Sequence, residues 1–175
     1  LNEVDLILCE DTRKSRILFN EFNIMTKYDS LHEFTSFKNI EKYVSFLEEG
    51  NSIALISDAG TPLISDPGFE IVKIAKEKNI FVNPLPGPSS VISALVGSGL
   101  KIDKFIFEGF PPRKKQELEK YLKRYLYEER TVVLFESPRR IKKLVQSVIE
   151  ILGEDRNVTL AKEISKPHQK FISGS

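Results

Sequence analysis

The sequence predicts an α/β protein of two small domains, and three observations carry that prediction. Short apolar runs alternate with amphipathic segments along most of the 175 residues. Gly- and Pro-rich turns fall between runs and segments rather than inside them. The texture then changes near Gly99 to Lys104, where two aromatic-rich alternating stretches surround turn residues. Such alternation argues for βα units with largely parallel pairing in the first half, whereas the second half reads as mixed. Domains are expected over residues 1–100 and 101–175, with enough chain for a core in each.

Each element has its own justification. "VDLILCE" is a short apolar run fit for a buried strand, and "DTRKSRILFNEF" follows as a helix with Asp11 or Thr12 at its N-cap. "TSFKNIEKYVSFLEEG" sets Phe37, Ile40, Tyr43, Val44 and Leu47 on one helical face and stops at Gly50. "SIALI" reads as a strand, "FEIVKIAKEKN" as a helix, and "IFVNPL" as a further strand leading into "PGPSS" and the helix "VISALVGSG". Beyond the change in texture come a charged helix, "QELEKYLKRYLYEE", and a buried strand, "TVVLFE". "SPRRIKKLVQSVIEILG" is a long amphipathic helix with Ser137 as N-cap, Pro138 at its first position and Gly153 at its end. "NVTLAKE" and "KFIS" close the chain as strands.

Composition narrows the function classes. No apolar run reaches the roughly 18 residues a membrane helix needs. Two His and one Cys make a zinc site improbable, and no metal is expected. Cys9 has no partner for an internal disulfide, which favours a reducing cytoplasm; as a strand residue it reads as a small buried apolar group. Leu1 opens the chain and Met25 is its only Met, so the sequence is expected to begin inside a longer polypeptide. The net charge of +1 hides an asymmetry. Residues 1–100 carry 9 Lys and Arg against 14 Asp and Glu, a net of −5, whereas residues 101–175 carry 17 against 11, a net of +6. The positive excess is densest in "PPRKK" and "SPRRIKK", which suits phosphate-bearing partners as well as the solvated faces of Lys-rich helices.

The chemistry-bearing segment is "SDAGTPLISDPG", Ser57 to Gly68, between a strand and a helix. Ligands of open α/β sheets bind outside the carboxyl ends of strands. Gly60 and Gly68 permit backbone conformations closed to other residues and let a ligand approach the main chain. Asp66 and Pro67 form a strong helix start, by capping and by needing no donor. "PGPSS" and "ESPRR" repeat the arrangement at two further strand ends. Three Pro-started helices beside strand ends favour a small-molecule site over mere turn chemistry. The spacing matches neither a dinucleotide fingerprint nor a P-loop.

In that order, "SDAGTPLISDPG", "PLPGPSS", "FEGFPPRK", "FESPRR" and "AKEISKPHQ" resemble the ribosomal RNA small subunit methyltransferase I family, within the tetrapyrrole methylase-like class III methyltransferases that use S-adenosylmethionine. The likeness covers nearly the whole chain. It implies two small α/β domains with the cofactor in the cleft between them, a cytoplasmic homodimer, and methyl transfer to the ribose 2′-hydroxyl of a cytidine in the decoding region of 16S rRNA in the small ribosomal subunit. Carried over residue by residue, the cofactor contacts fall on Ala59, Gly60, Thr61 and Ile64, then on Ser89 and Ser90, near Phe135 and Glu136, and at Ile164. The family begins with a strand and a Gly-containing loop of the form "ATPIGN" and ends with further strands, so the sequence is expected to be a fragment lacking both.

A ribose hydroxyl is a poor nucleophile that a nearby base would help. Glu10, Asp11, Glu136 and Glu163 stand at strand ends, but each serves equally as a cap or ion-pair partner, and no catalytic residue is assigned. Arg13, Arg139, Arg140 and Lys166 are the candidates for RNA phosphate contacts, and His168 reads as exposed. Phe110, just before "PPRKK", fits either a stack on a splayed base or packing at the domain junction. Two competing readings stay open at this point, a tetrapyrrole-directed small-molecule methyltransferase and a non-catalytic ligand- or RNA-binding module.

Overall fold

The computed structural model describes residues 1–175 as two compact units, Leu1–Pro88 and Ser89–Ser175. In the first unit, β1 (Leu6–Cys9) lies between β2 (Tyr28–Ser30) and β3 (Ile53–Ile56), and both pairings are parallel. Ile7, Leu8 and Cys9 are wholly buried. A strand covered on both faces and paired on both edges must be apolar throughout, which is why "LILC" shows no alternation. Three helices complete the unit: α1 (Thr12–Glu21), α2 (Phe37–Glu48) and α3 (Phe69–Glu77). The core gathers Leu8, Leu31, Ile40, Tyr43, Val44 and Ile71, with Ile53 and Leu55 of β3 packed against it.

The second unit contains α4 (Ser90–Ser98), β4 (Phe105–Phe107), α5 (Lys115–Lys123), β5 (Thr131–Val133), α6 (Ile141–Leu152), β6 (Val158–Lys162) and β7 (Lys170–Gly174). β4 and β5 pair in parallel, and β6 and β7 form an antiparallel ladder, so the mixed pairing expected of this half is present. Leu118 and Leu122 of α5 pack on Leu144 of α6, with Leu134, Ile141, Val148 and Ile151 around them.

Several expectations are corrected. The division between 1–100 and 101–175 falls earlier, at Pro88, because α4 packs on the terminal ladder: the Thr159 hydroxyl donates to the Ser98 carbonyl at 3.0 Å, and Phe171 lies against Gly97. "IFVNPL" forms no strand. Pro84, Pro86 and Pro88 stand at alternate positions, which in a strand share one edge, so that edge would have no donors there. Phe37 opens α2 but is 62% exposed, leaving Ile40, Tyr43 and Val44 as the buried face. α3 starts at Phe69 with Gly68 (φ +125°) as N-cap and no capping side chain, so neither Asp66 nor Pro67 holds the position expected of it. α6 starts at Ile141: residues 138–140 form a turn in which the Ser137 carbonyl accepts from the N–H groups of Arg140 and Ile141. α5 ends at Lys123, short of the expected span. β2 was not foreseen, since "YDS" has no apolar run to announce it.

Where Gly97 meets Phe171 the packing leaves no room for a side chain. A Cβ there would stand 2.5 Å from Phe171 Cε1 and 2.6 Å from Cζ. Although Ala is the better helix former, Gly97→Ala is expected to destabilise the protein by about 1–3 kcal/mol through overpacking. Urea unfolding measures the loss, and adding Phe171→Leu to the same chain should recover part of it.

Candidate functional site

Parallel pairing aligns the carboxyl ends of β1 and β3. Cys9 is registered with Ile56, so Asp11 and Asp58 lie at equivalent positions two residues beyond them. The Asp58 carboxylate joins the two loops. One oxygen accepts from the Asp11 N–H at 3.2 Å, and the other pairs with Lys14 Nζ at 2.6 Å. Asp11 caps α1 by accepting from the Arg13 N–H at 2.9 Å, and its carboxylate also holds the Arg13 guanidinium at 3.0 and 2.8 Å. These bonds, led by the Arg13 side chain, pull the Asp11 pKa down to about 2. Asp58 was missed in the sequence, and its signal was this register. The buried Cys9 thiol is pushed up in pKa, first of all by desolvation, which keeps it an unreactive packing group.

The loop from Ser57 to Gly68 is held in an unusual shape. Gly60 (φ +85°), Leu63 (+71°), Ser65 (+62°) and Gly68 (+125°) all have left-handed or related backbone angles. Two of them are not glycine, so surrounding structure must hold conformations that cost about 1 kcal/mol or more each. The Ser57 hydroxyl donates to the Gly60 carbonyl at 3.2 Å, and the Thr61 hydroxyl donates to the Pro88 carbonyl at 2.9 Å. A Cβ on Gly68 would lie 2.6 Å from Leu55 Cδ2, so the loop's end is pressed onto β3. Gly60 is the opposite case. A Cβ there would find only the Pro88 carbonyl, at 3.8 Å, and the residue is exposed, so its main chain is open to an approaching ligand. Ala59 is exposed beside it, and Ile64 presents an apolar side chain at 41% exposure. Asp66 is half-buried, and desolvation raises its pKa against an opposing hydrogen bond from Ser57.

In the second unit, Ser89 caps α4 by accepting from the Ile92 N–H at 3.4 Å, and Ser90 is exposed in the first turn. Past β4 and β5 the two chains stay paired: Glu108 N–H donates to the Val133 carbonyl at 3.1 Å, and Phe135 N–H donates to the Gly109 carbonyl at 2.7 Å. The side chain of Glu136 is 3% exposed. Its Oε1 accepts from the Ser137 N–H at 2.7 Å, and its Oε2 lies 3.1 Å from Arg140 without hydrogen-bond alignment. Arg140 instead aims its guanidinium at the carbonyls of Pro111 (3.4 Å) and Pro112 (3.0 Å). Arg140, expected as a phosphate ligand, is thus committed to holding two loops together. Arg139 is exposed and carries no ion pair, and Lys166 is exposed in the turn after β6. Ile164 is half-buried between Glu163 (φ +50°) and Ser165 (φ +66°), in a turn closed by the Ser165 N–H on Gln169 Oε1 at 2.6 Å. Glu163 and His168 are exposed.

A family profile described as tetrapyrrole (corrin/porphyrin) methylases matches residues 1–175. A relative from Thermotoga maritima, a ribosomal RNA small subunit methyltransferase I, is 44% identical over 99% of this chain and 78% of its own length. The chain belongs to the tetrapyrrole methylase family, in its ribosomal RNA small subunit methyltransferase I branch. Relatives of the same name from Synechocystis and Haemophilus influenzae are 41% and 43% identical, over 100% and 94% of this chain. The chain spans 63% and 58% of their lengths. Among solved structures, a cobalamin biosynthetic enzyme, cobalt precorrin-4 methyltransferase, superposes with a TM-score of 0.66 at 18% identity, over 100% of this chain and 76% of that one. That likeness concerns the fold.

The depressed Asp11 gives a pH test. Its folded pKa of about 2 lies below the ordinary 3.8, so its contribution is present above pH 3.8 and is lost as pH falls toward 2. Glu128, held to about 2 by Arg130, titrates in the same window, so the comparison must be with a variant. Asp11→Asn keeps a capping residue without the charge and should flatten the fall in stability between pH 3.8 and 2, measured by chemical unfolding at each pH.

Proposed function

We propose that this chain is the catalytic portion of an S-adenosylmethionine-dependent methyltransferase that modifies the ribose 2′-hydroxyl of a cytidine in the decoding region of 16S rRNA. The observation that supports it best is the loop from Ala59 to Ile64, whose main chain lies open at Gly60 inside a segment otherwise pinned by hydrogen bonds and packing. That arrangement fits the cofactor: Ala59, Gly60 and Thr61 offer main-chain groups, and Ile64 offers an apolar side chain. Ser90, the main chain at Glu136 and Ser137, and Ile164 are the corresponding candidates in the second unit. When bound, S-adenosylmethionine supplies a methyl group on a sulfonium and leaves as S-adenosylhomocysteine.

The chain's own contribution is to hold and orient. Fixing the acceptor oxygen in line with a methyl donor supplies much of the acceleration in such transfers. Rigid loops suit that task, because a loop that orders only on binding spends affinity on its own ordering. Arg139 and Lys166 are exposed, unpaired cations suited to RNA phosphates. Arg13, 88% exposed though paired with Asp11, is a third. The substrate, the cytoplasmic setting and a homodimeric assembly are part of this proposal.

Gly60→Val puts a branched side chain on the open main chain at a positive φ, and S-adenosylhomocysteine affinity is expected to fall about tenfold or more in calorimetry. Labelled-methyl transfer to undermethylated small subunits tests the reaction itself. Transfer to a corrinoid precursor and none to small subunits would overturn the RNA assignment.

A further inference from the structure

Phe110 is an exposed aromatic ring on an unusually fixed support. It is 60% exposed, although Gly109 before it is half-buried and Pro111 after it is buried. Its ring packs on Phe135 (centroids 5.6 Å apart, planes at 59°), and Phe135 packs in turn on Phe107 (5.0 Å, 69°). The backbone beneath it is held three ways. Gly109 accepts from the Phe135 N–H, Pro111 and Pro112 fix two successive φ angles, and Arg140 donates to both proline carbonyls. Leaving most of a phenyl ring in water forgoes burial free energy. Its neighbours explain the choice better than packing does. Arg113, three residues on, is exposed and has no ion pair, and Arg139, beside the clamping Arg140, is likewise free.

We infer that Phe110 is a stacking platform for an unpaired RNA base, with Arg113 and Arg139 meeting the phosphates on either side of it. The inference rests on the RNA reading above and adds the surface that would receive the strand. A mostly exposed ring braced by a second ring, with one unpaired arginine three residues on and another beside the arginine that clamps its loop, has the chemistry that single-stranded nucleic acid requires. The free cations favour an anionic occupant over an apolar one, which would offer neither guanidinium a counter-charge. The net charge of +6 over residues 101–175 favours an anionic strand as well.

The chain contains no Trp, so Phe110→Trp installs its only indole at the platform. Single-stranded oligocytidine RNA should quench that fluorescence, and the same oligomer made abasic should bind weakly and leave it unquenched. Phe110→Ala should weaken oligocytidine binding about tenfold with an unchanged salt dependence. Arg113→Ala and Arg139→Ala should each lower the salt slope by about 0.7 while preserving the quench in the Trp background. Wild-type affinity in Phe110→Ala, equal quenching by the abasic oligomer, or quenching by a porphyrin and not by RNA would each overturn the inference. Methyl transfer separates this from failure of the underlying assignment. If wild-type protein methylates small subunits and Phe110→Ala binds RNA normally, only the platform falls. If wild-type protein transfers no methyl to them, the reaction falls whatever the quench shows.

Discussion

The buried parallel strand β1 is the constraint on which the first unit depends. Its residues from Ile7 to Cys9 are wholly out of water, so their backbone groups must be satisfied by neighbours on both edges. β2 and β3 supply those partners in parallel register, and parallel pairing fixes which end of each strand is which. The loops after β1 and β3 therefore emerge at one edge. Asp11 and Asp58 become neighbours through that register alone. Once adjacent, Asp58 accepts from the Asp11 N–H and pairs with Lys14, which ties the start of α1 to the loop after β3.

The same device recurs in a different form in the second unit. There β4 and β5 are too short to carry a broad sheet, but their pairing continues past the strand ends through Glu108 and Phe135. Arg140 extends the attachment to Pro111 and Pro112. In both units a charged side chain joins two strand-end loops that the sequence keeps far apart. Its cost is one fewer free charge for a ligand, which is why Arg140 differs in role from its neighbour Arg139.

Much of this was legible in the sequence, and the misses share a physical cause. The strand "LILC" and the Asp11 cap follow from local chemistry that the structure keeps. "YDS" could not be read as a strand because its β character comes from pairing with β1 and not from its own side chains. "IFVNPL" misled for the converse reason: its apolar pattern suits a strand, but Pro84 and the alternate prolines that follow it, Pro86 and Pro88, strip one edge of donors. The start of α6 shifted because a turn closed on the Ser137 carbonyl intervenes before the helix. Ala59, Gly60 and Thr61 are candidates that the glycine and the family resemblance supply, with no need of the folded structure. Asp58 needed the sheet register, which no single stretch of sequence contains. Phe110 was singled out in the sequence with a base stack and junction packing both open, and only the folded surface gives its exposure.

The lock between α4 and the terminal ladder has a consequence for how the chain is made. Thr159 reaches the Ser98 carbonyl across 61 residues, and Gly97 waits for Phe171, which lies still further on. A ribosome releases the chain from its N-terminus, so residues Leu1–Pro88 emerge while most of the second unit is unsynthesised. α4, by contrast, emerges early and keeps its apolar face unfilled until β6 and β7 appear. Folding of the second unit thus waits on β6 and β7, and while α4 is bare the nascent chain carries an uncovered apolar face.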